Sequence, residues 1–240
     1  MLKESLKYPS KGGKIVRTLI GGLFTATSII IIPLLTLIGY SLNVIERTVN
    51  GEDTPPAFVD YIKTTKEGIY ASGIMVMYGV LPLVILVILM GLLTVIATNT
   101  GQVDRVMFTI TVGIVFLLFF PIILASYYIL PAALATYAVE RDLRKAFNFN
   151  HIKNIVWTET FIIKSLYPLI VGLGASLVMV VLASSVIGFF ITPFIQFYIQ
   201  LTLLRMVGVI YKKAEKEDTS NLKALLNKFS LFDLNKLSVR

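Results

Sequence analysis

Cysteine is absent from this sequence, and histidine occurs once, at His151. Without cysteine the chain has no disulfide, no thiolate metal site and no cysteine nucleophile. His151 falls on the predicted polar face of an amphipathic segment, where we expect a solvated side chain rather than a metal ligand. The zinc-protease, P-loop and nucleophile-elbow motifs are missing as well. We therefore expect no metal, no cofactor and no enzymatic activity.

Charged residues are also scarce, at 15% of the chain, and the mean hydropathy is +0.80. The formal net charge of +8 comes mostly from lysines and arginines that flank the apolar runs. Such clusters follow from the positive-inside bias and from attraction to anionic lipid, so nucleic acid is not a predicted partner. We expect contacts with anionic headgroups of membrane lipids, and with a membrane protein partner or a second copy of the chain.

Long apolar runs account for most of the sequence. The windows at about 18–46, 69–97, 106–139, 161–183 and 187–211 are each long enough for a helix to cross roughly 30 Å of hydrocarbon. Continuous apolar runs favour helices over the alternating pattern of barrel strands. The sequence predicts an all-α, polytopic transmembrane helical bundle of about five spans, with interfacial amphipathic elbow helices. We expect a multi-pass protein of the cell (cytoplasmic) membrane, and we interpret the first window as a retained span.

The third window leaves the number of spans open. It has about 34 apolar residues, more than the roughly 20 that one crossing needs, and it contains Pro121 and Pro131. No polar turn residues stand at Pro121, which favours one long helix. Splitting the window would give six spans and would place both basic tails on one face, as the positive-inside bias favours. Five spans is the prediction, and six is the alternative.

The predicted organisation is a helical membrane domain over 1–213 and a basic amphipathic tail over 214–240. The order span, charged exit, Ala-Phe elbow and span occurs twice, at about 18–97 and 106–183, before a last span at 187–211. This order predicts an internal duplication, with chance similarity between interfacial helices as the alternative.

Each Ala-Phe elbow is predicted to be an amphipathic helix in the bilayer interface. The first begins at Ala57 and places Phe58 and Ile62 on one face. The second runs from Ala146 to Trp157, and this single tryptophan is predicted to be an interfacial anchor.

Apart from Glu46, which ends the first window, the charged residues within the apolar windows are Lys164 and Arg205. Burying a charge in a span is costly, so both are candidate ligand or lipid contacts, and snorkelling to headgroups is the alternative. The absence of a mid-span Asp or Glu argues against a proton-coupled pump.

Four stretches carry a resemblance to a known family. They are the Gly51-Glu52-x-x-Pro55-Pro56-x-Phe58-x-Asp60 loop, Pro131-Ala132-Ala133-Leu134-Ala135-x-Tyr137-Ala138, the Ala146-Phe147-x-Phe149 elbow, and Phe194-x-x-Phe197-Tyr198 with Arg205. Together, from about Leu6 to Lys213, they resemble an uncharacterised family of archaeal and bacterial polytopic membrane proteins with a domain-of-unknown-function label. The membrane domains of some glycerophosphodiester phosphodiesterases are more distantly similar. The resemblance implies a helical membrane fold and no established activity. The motif positions it marks are Gly51, Pro55, Pro56, Phe58, Asp60, Pro131, Phe147 and Tyr198.

The favoured hypothesis is a non-enzymatic scaffold or accessory subunit that contacts lipid or a protein partner. The alternative is a small-solute or lipid transporter or channel, indicated by the duplication and by the prolines within spans. A lipid-modifying membrane enzyme ranks third.

Overall fold

The computed structural model describes residues 1–12, 14–100 and 105–237. The protein is 88% helical, and the described residues contain no strand, which confirms the all-α prediction. A 3₁₀ turn at Tyr8–Ser10 follows the first helix, and a π-helical segment at Val76–Val80 joins the fourth to the fifth. The α-helices are α1 (Leu2–Lys7), α2 (Lys14–Ala26), α3 (Ile31–Asn50), α4 (Tyr61–Met75), α5 (Leu81–Thr100), α6 (Arg105–Glu140), α7 (Leu143–Ala146), α8 (Phe149–Val156), α9 (Glu159–Lys164), α10 (Leu166–Ala183) and α11 (Val186–Leu237).

Four helical stretches in the described part of the chain are long and apolar enough to cross a membrane. They are Tyr61–Thr98, Val106–Glu140, Glu159–Ala183 and Val186–Ser220. In the first three, no residue of the most apolar stretch is buried inside the protein, and in the fourth only 22% are. Side chains this apolar need a hydrocarbon environment, so this is a multi-pass membrane protein.

The first apolar window is two helices rather than the single span that the sequence predicts. α2 ends at Ala26 and α3 begins at Ile31. At the break, the hydroxyls of Thr25, Thr27 and Ser28 donate to backbone carbonyls three or four residues earlier, each at 2.8 Å. Such bonds compete with the helical ladder. Pro33 lies in the first turn of α3, where its missing N–H has no helical partner to lose.

This break turns α2 and α3 into an antiparallel hairpin. The Arg17 side chain, near the start of α2, donates to the carbonyl of Pro55, just after the end of α3, at 3.0 Å. Gly51 at that same end lies beside the ammonium group of Lys212 on α11. The basic N-terminal segment and the basic part of α11 therefore meet at one end of the bundle, which we call the basic end. The hairpin, and not a split third window, removes the conflict with the positive-inside bias.

The third window is one helix, α6, with Pro121 and Pro131 inside it. The last two windows form an antiparallel pair, α10 and α11, joined at Ser184 and Ser185. α11 continues past residue 213 without a break. The predicted tail and the internal duplication stay predictions.

Only the second elbow is the predicted amphipathic helix. α8 buries Ile152, Ile155 and Val156, and Trp157 directly after it is exposed. The prediction of an interfacial helix at the first elbow is wrong. Residues 51–60 are not helical, and α4 begins at Tyr61 and continues into the apolar stretch. The paired prolines keep the chain extended there because they lack N–H groups and restrict the residue before them.

The buried core lies towards the basic end, and it includes a close crossing of α3 and α4. A Cβ on Gly39 would overlap the carbonyl oxygen of Thr64, and one on Gly68 would overlap that of Leu35. The two backbones can touch because both positions lack side chains. This crossing fixes how α4 leaves the core towards the membrane.

Candidate functional site

The loop at residues 51–60 is held by a buried arginine. Arg17 is only 8% exposed, and its guanidinium donates to the carbonyls of Pro55 at 3.0 Å and Pro9 at 3.3 Å. It also donates to the carbonyls of Lys11 and Gly12. Four accepting carbonyls compensate for the cost of burying this charge. Arg17 therefore fastens the N-terminal segment to the loop.

Arg205 approaches the same loop from α11. Its guanidinium donates to the carbonyl of Glu52 at 2.6 Å and to the carboxylate of Asp53 at 3.1 Å, and it lies 4.8 Å from the ring centre of Tyr8. Lys11 pairs with the same carboxylate. The hydrogen bond from Lys11 is the main cause that lowers the pKa of Asp53. These contacts are internal, so they explain Arg205 as a structural residue.

Aromatic rings also pack the loop at residues 51–60 against α2 and α3. Phe58 stacks on Tyr40 with ring centres 4.1 Å apart and on Phe24 at 5.6 Å. The Tyr40 hydroxyl donates to the carbonyl of Pro56 at 2.9 Å, and the Tyr198 hydroxyl donates to the carbonyl of Leu6 at 2.8 Å. Most of the motif positions named from the sequence therefore meet in one packed cap, which we call the loop clamp: Arg17, Arg205, Tyr8, Tyr40, Tyr198 and residues 51–60.

A second ionic cluster joins α3, α4 and the end of α6. Arg141 pairs with Glu46 and, at 2.9 Å, with Glu67, and it donates to the side-chain oxygen of Asn43 at 2.9 Å. Two carboxylates share one guanidinium, whose planar donors suit such bridging. These residues have no distinguishing pattern in the sequence, because Glu46 and Arg141 are charged residues at the ends of apolar windows, like several others.

The Arg141 cluster borders an open polar pocket of about 490 Å³ that also contains Asp60 and Lys63. Within the described ranges, Asp60 and Arg141 are the two non-glycine residues with positive φ, at 51° and 53°. Left-handed backbone is unfavourable for residues with a Cβ, so the surrounding contacts must hold both in place. The arrangement fixes the junction between α3, α4 and α6.

An apolar cleft with a volume of about 810 Å³ lies between α6 and the α10/α11 pair. At its base, the Thr136 hydroxyl on α6 donates to the hydroxyl of Tyr211 on α11 at 3.2 Å. The walls are almost wholly hydrocarbon and aromatic. They are formed by Leu124, Ala125, Tyr127, Tyr128, Pro131, Val156, Trp157, Phe161, Ile162, Ser165, Leu166, Pro168, Leu169, Val207 and Ile210.

One edge of the cleft is polar. Trp157 lines it and is 71% exposed, and Lys153 lies one helical turn earlier on α8. Lys164 is next to the lining residue Ser165, at the end of α9. Nearby, the carboxylate of Glu217 accepts from the backbone N–H groups of Glu159 and Thr160 at 3.1 and 3.2 Å. That carboxylate caps the start of α9.

The other predicted site residues are spread between these features. Phe147 stacks on Tyr78 at 5.9 Å, outside the cleft. Pro131 lines the cleft, and Gly51 ends α3 with φ of 92°. His151 is half-buried rather than solvated. Lys164 and Arg205, paired by the sequence analysis as ligand candidates, therefore belong to different features, the cleft and the loop clamp.

A family model described as "Protein of unknown function (DUF4013)" matches residues 23–184. The chain belongs to this family. The DUF4013 match extends from within α2 to the turn between α10 and α11, so it includes the Arg141 cluster and the cleft walls from α6 and α8 to α10. Arg17 and Arg205 lie outside it. Comparison with curated proteins and with solved structures finds no match, and the glycerophosphodiester phosphodiesterase likeness has no support.

Proposed function

We propose that this DUF4013 protein is a non-enzymatic scaffold or accessory subunit of the cell membrane whose apolar cleft holds the acyl chains of an anionic glycerolipid. The observation that carries the proposal is the cleft between α6, α9, α10 and α11. Its volume of about 810 Å³ lies within the roughly 300–1,000 Å³ of small-molecule sites. Its lining offers contact area for hydrocarbon and few polar groups for any other ligand.

The polar edge of the cleft favours a lipid with an anionic headgroup. Lys153 is exposed beside Trp157, and Lys164 is half-buried beside Ser165. Glu217 faces Lys164, but its oxygens already accept from two backbone N–H groups. Tryptophan and lysine are the residues that settle at headgroup level. A lipid seated here has its headgroup at Lys153 and Lys164 and its chains along α6 and α10.

A scaffold role is supported by the way the spans leave the core. The membrane-crossing stretches are exposed along almost their whole apolar length, while the packed core lies at the basic end. No Asp, Glu, Lys, Arg or His occurs in 81–98, 106–139, 166–183 or 186–204. Surfaces of this kind suit packing against lipid or against the spans of another protein. A bound lipid would fill the space between α6 and the α10/α11 pair and help to keep these helices apart.

The test is to purify the protein in mild detergent and to identify the lipids and proteins that remain bound by mass spectrometry. We expect retention of anionic glycerolipid, reduced at least fivefold by A125F, which fills the cleft from an exposed position on α6. The matched control is I122F, exposed on the same helix but outside the lining. Equal lipid retention in both variants, or a stoichiometric membrane protein that A125F displaces, contradicts the lipid assignment.

A second candidate is a lipid transporter, and the same cleft is the observation that favours it, since it opens beside the hydrocarbon and ends at a polar edge. Purified protein in vesicles then accelerates movement of labelled lipid between leaflets, and A125F abolishes the acceleration. No acceleration over protein-free vesicles excludes transport and leaves the scaffold.

A further inference from the structure

α2, the shorter arm of the α2/α3 hairpin, is too short to cross the bilayer. α2 has 13 residues, which give about 20 Å of helix, whereas the hydrocarbon is roughly 30 Å thick. Its reach is shorter still when counted from Arg17, since Ala26 is nine positions further along, about 14 Å of helix. α3 returns beside it, so the two helices share one tip at residues 27–30.

The base of the hairpin is fixed at the basic end. Arg17 is tied to the loop that follows α3, and Lys11 pairs with Asp53 in that loop. Because both ends of the hairpin enter from the same face, its tip can move no deeper than α2 allows. The N-terminal segment and the loop after α3 must then lie on the same side of the membrane.

The tip has the chemistry of a buried surface rather than of a water-facing turn. Ile29 is 94% exposed, and Ile30, Ile31 and Ile32 are all exposed beside it. The turn between α10 and α11 is, by contrast, Ser184-Ser185. An apolar patch of four adjacent isoleucines at the end of a hairpin requires hydrocarbon around it.

Several polar groups at the tip are hydrogen-bonded within the hairpin, which lowers the cost of placing them in hydrocarbon. The hydroxyls of Thr27 and Ser28 donate to the carbonyls of Leu23 and Thr25. The backbone N–H of Ile30 donates to the carbonyl of Thr27 at 2.9 Å. The three bonds leave the two hydroxyls and this N–H without need of a water partner.

We propose that α2/α3 is a re-entrant hairpin whose isoleucine tip ends inside the bilayer, so that its interaction partner is the hydrocarbon interior of the membrane. The protein then contacts the bilayer through four full spans and one hairpin that enters and leaves at the basic end. The hairpin displaces lipid mainly from the leaflet at that end. This inference does not depend on the occupant of the cleft.

The absence of native cysteine makes the test direct. Single variants S28C (tip), T54C (loop at the basic end) and S184C (turn between α10 and α11) are treated in sealed vesicles of each orientation with a membrane-impermeant maleimide. We expect T54C to react from one side only, S184C from the other only, and S28C from neither until the vesicles are dissolved in SDS. The serine-to-cysteine change is nearly isosteric, and unchanged gel-filtration and melting behaviour show that S28C folds.

Two results overturn the proposal. Reaction of S28C from the same side as S184C means that the hairpin crosses completely, and reaction from the side of T54C means that it lies outside the hydrocarbon. Depth is measured separately by attaching a small fluorophore to S28C and quenching it with brominated lipids. We expect bromine near the middle of the acyl chain to quench at least twice as strongly as bromine near the headgroup, and the reverse order also contradicts the proposal.

Discussion

The crossing of α3 and α4 predicts that two glycine-to-alanine changes on one helix have opposite effects. In G68A the new Cβ meets the carbonyl oxygen of Leu35, which belongs to the backbone of the facing helix. In G73A the new Cβ meets nothing within 4 Å. Both changes remove a flexible residue from the interior of α4, so the difference between them isolates the helix contact.

The expected changes in stability follow from two effects, the helix propensity of alanine and the overlap of its Cβ with the facing helix. Replacing glycine by alanine in a helix interior stabilises by about 1 kcal/mol, which is the expected effect of G73A. Overpacking a core costs about 1–3 kcal/mol, and G68A should lie at the upper end because a backbone carbonyl cannot rotate away. The two variants should therefore differ by about 3 kcal/mol in the free energy of unfolding. At about 2–4 °C per kcal/mol for a chain of this size, G68A should melt about 6–12 °C below G73A.

The assay is thermal unfolding of both purified variants in the same detergent, followed by circular dichroism at the helical band. G39A, which places a Cβ against Thr64 from the other helix, should behave like G68A. If G68A melts at or above the temperature of G73A, the backbones of α3 and α4 do not approach each other this closely.

Three further predictions concern charged residues. R17M should lower the free energy of unfolding by about 3 kcal/mol, because it leaves buried carbonyls without a donor. K11M breaks only an exposed pair and should cost under about 1 kcal/mol. Equal losses of the two variants in denaturant unfolding contradict the buried role of Arg17. Since the pKa of Asp53 is lowered in the folded protein, its ion pair should stabilise above the usual carboxyl pKa and be lost as pH falls through the lowered value. The melting difference between wild type and D53N should therefore vanish in strong acid, and a difference that grows there contradicts the assignment. R141G should be more stable than R141A by about 1 kcal/mol, because only glycine tolerates φ of 53° without strain; equal melting temperatures argue against a left-handed residue at this position.

The candidate sites show which contacts a sequence reveals. Lys164 and Arg205 were found because a charge inside an apolar window is visible without knowing the fold. Arg141 was not singled out, because its partners Glu46 and Glu67 are 95 and 74 positions away in the chain, and the charges at span ends look alike. Arg17 was seen only as a flanking basic residue, although its four carbonyl acceptors make it a central buried contact.

Hydropathy by itself determined the membrane class and the all-α fold, because a run of about 20 apolar residues has few alternatives in lipid. The lack of polar turn residues at Pro121 predicted that α6 is one helix. The division of the first window at residues 27–30 is a local feature, which average hydropathy does not register. The loop clamp, the Arg141 cluster and the apolar cleft depend on how distant helices cross. Those crossings follow from side-chain volume at particular contacts, such as Gly39 against Gly68, and only the tertiary structure brings the contacts together.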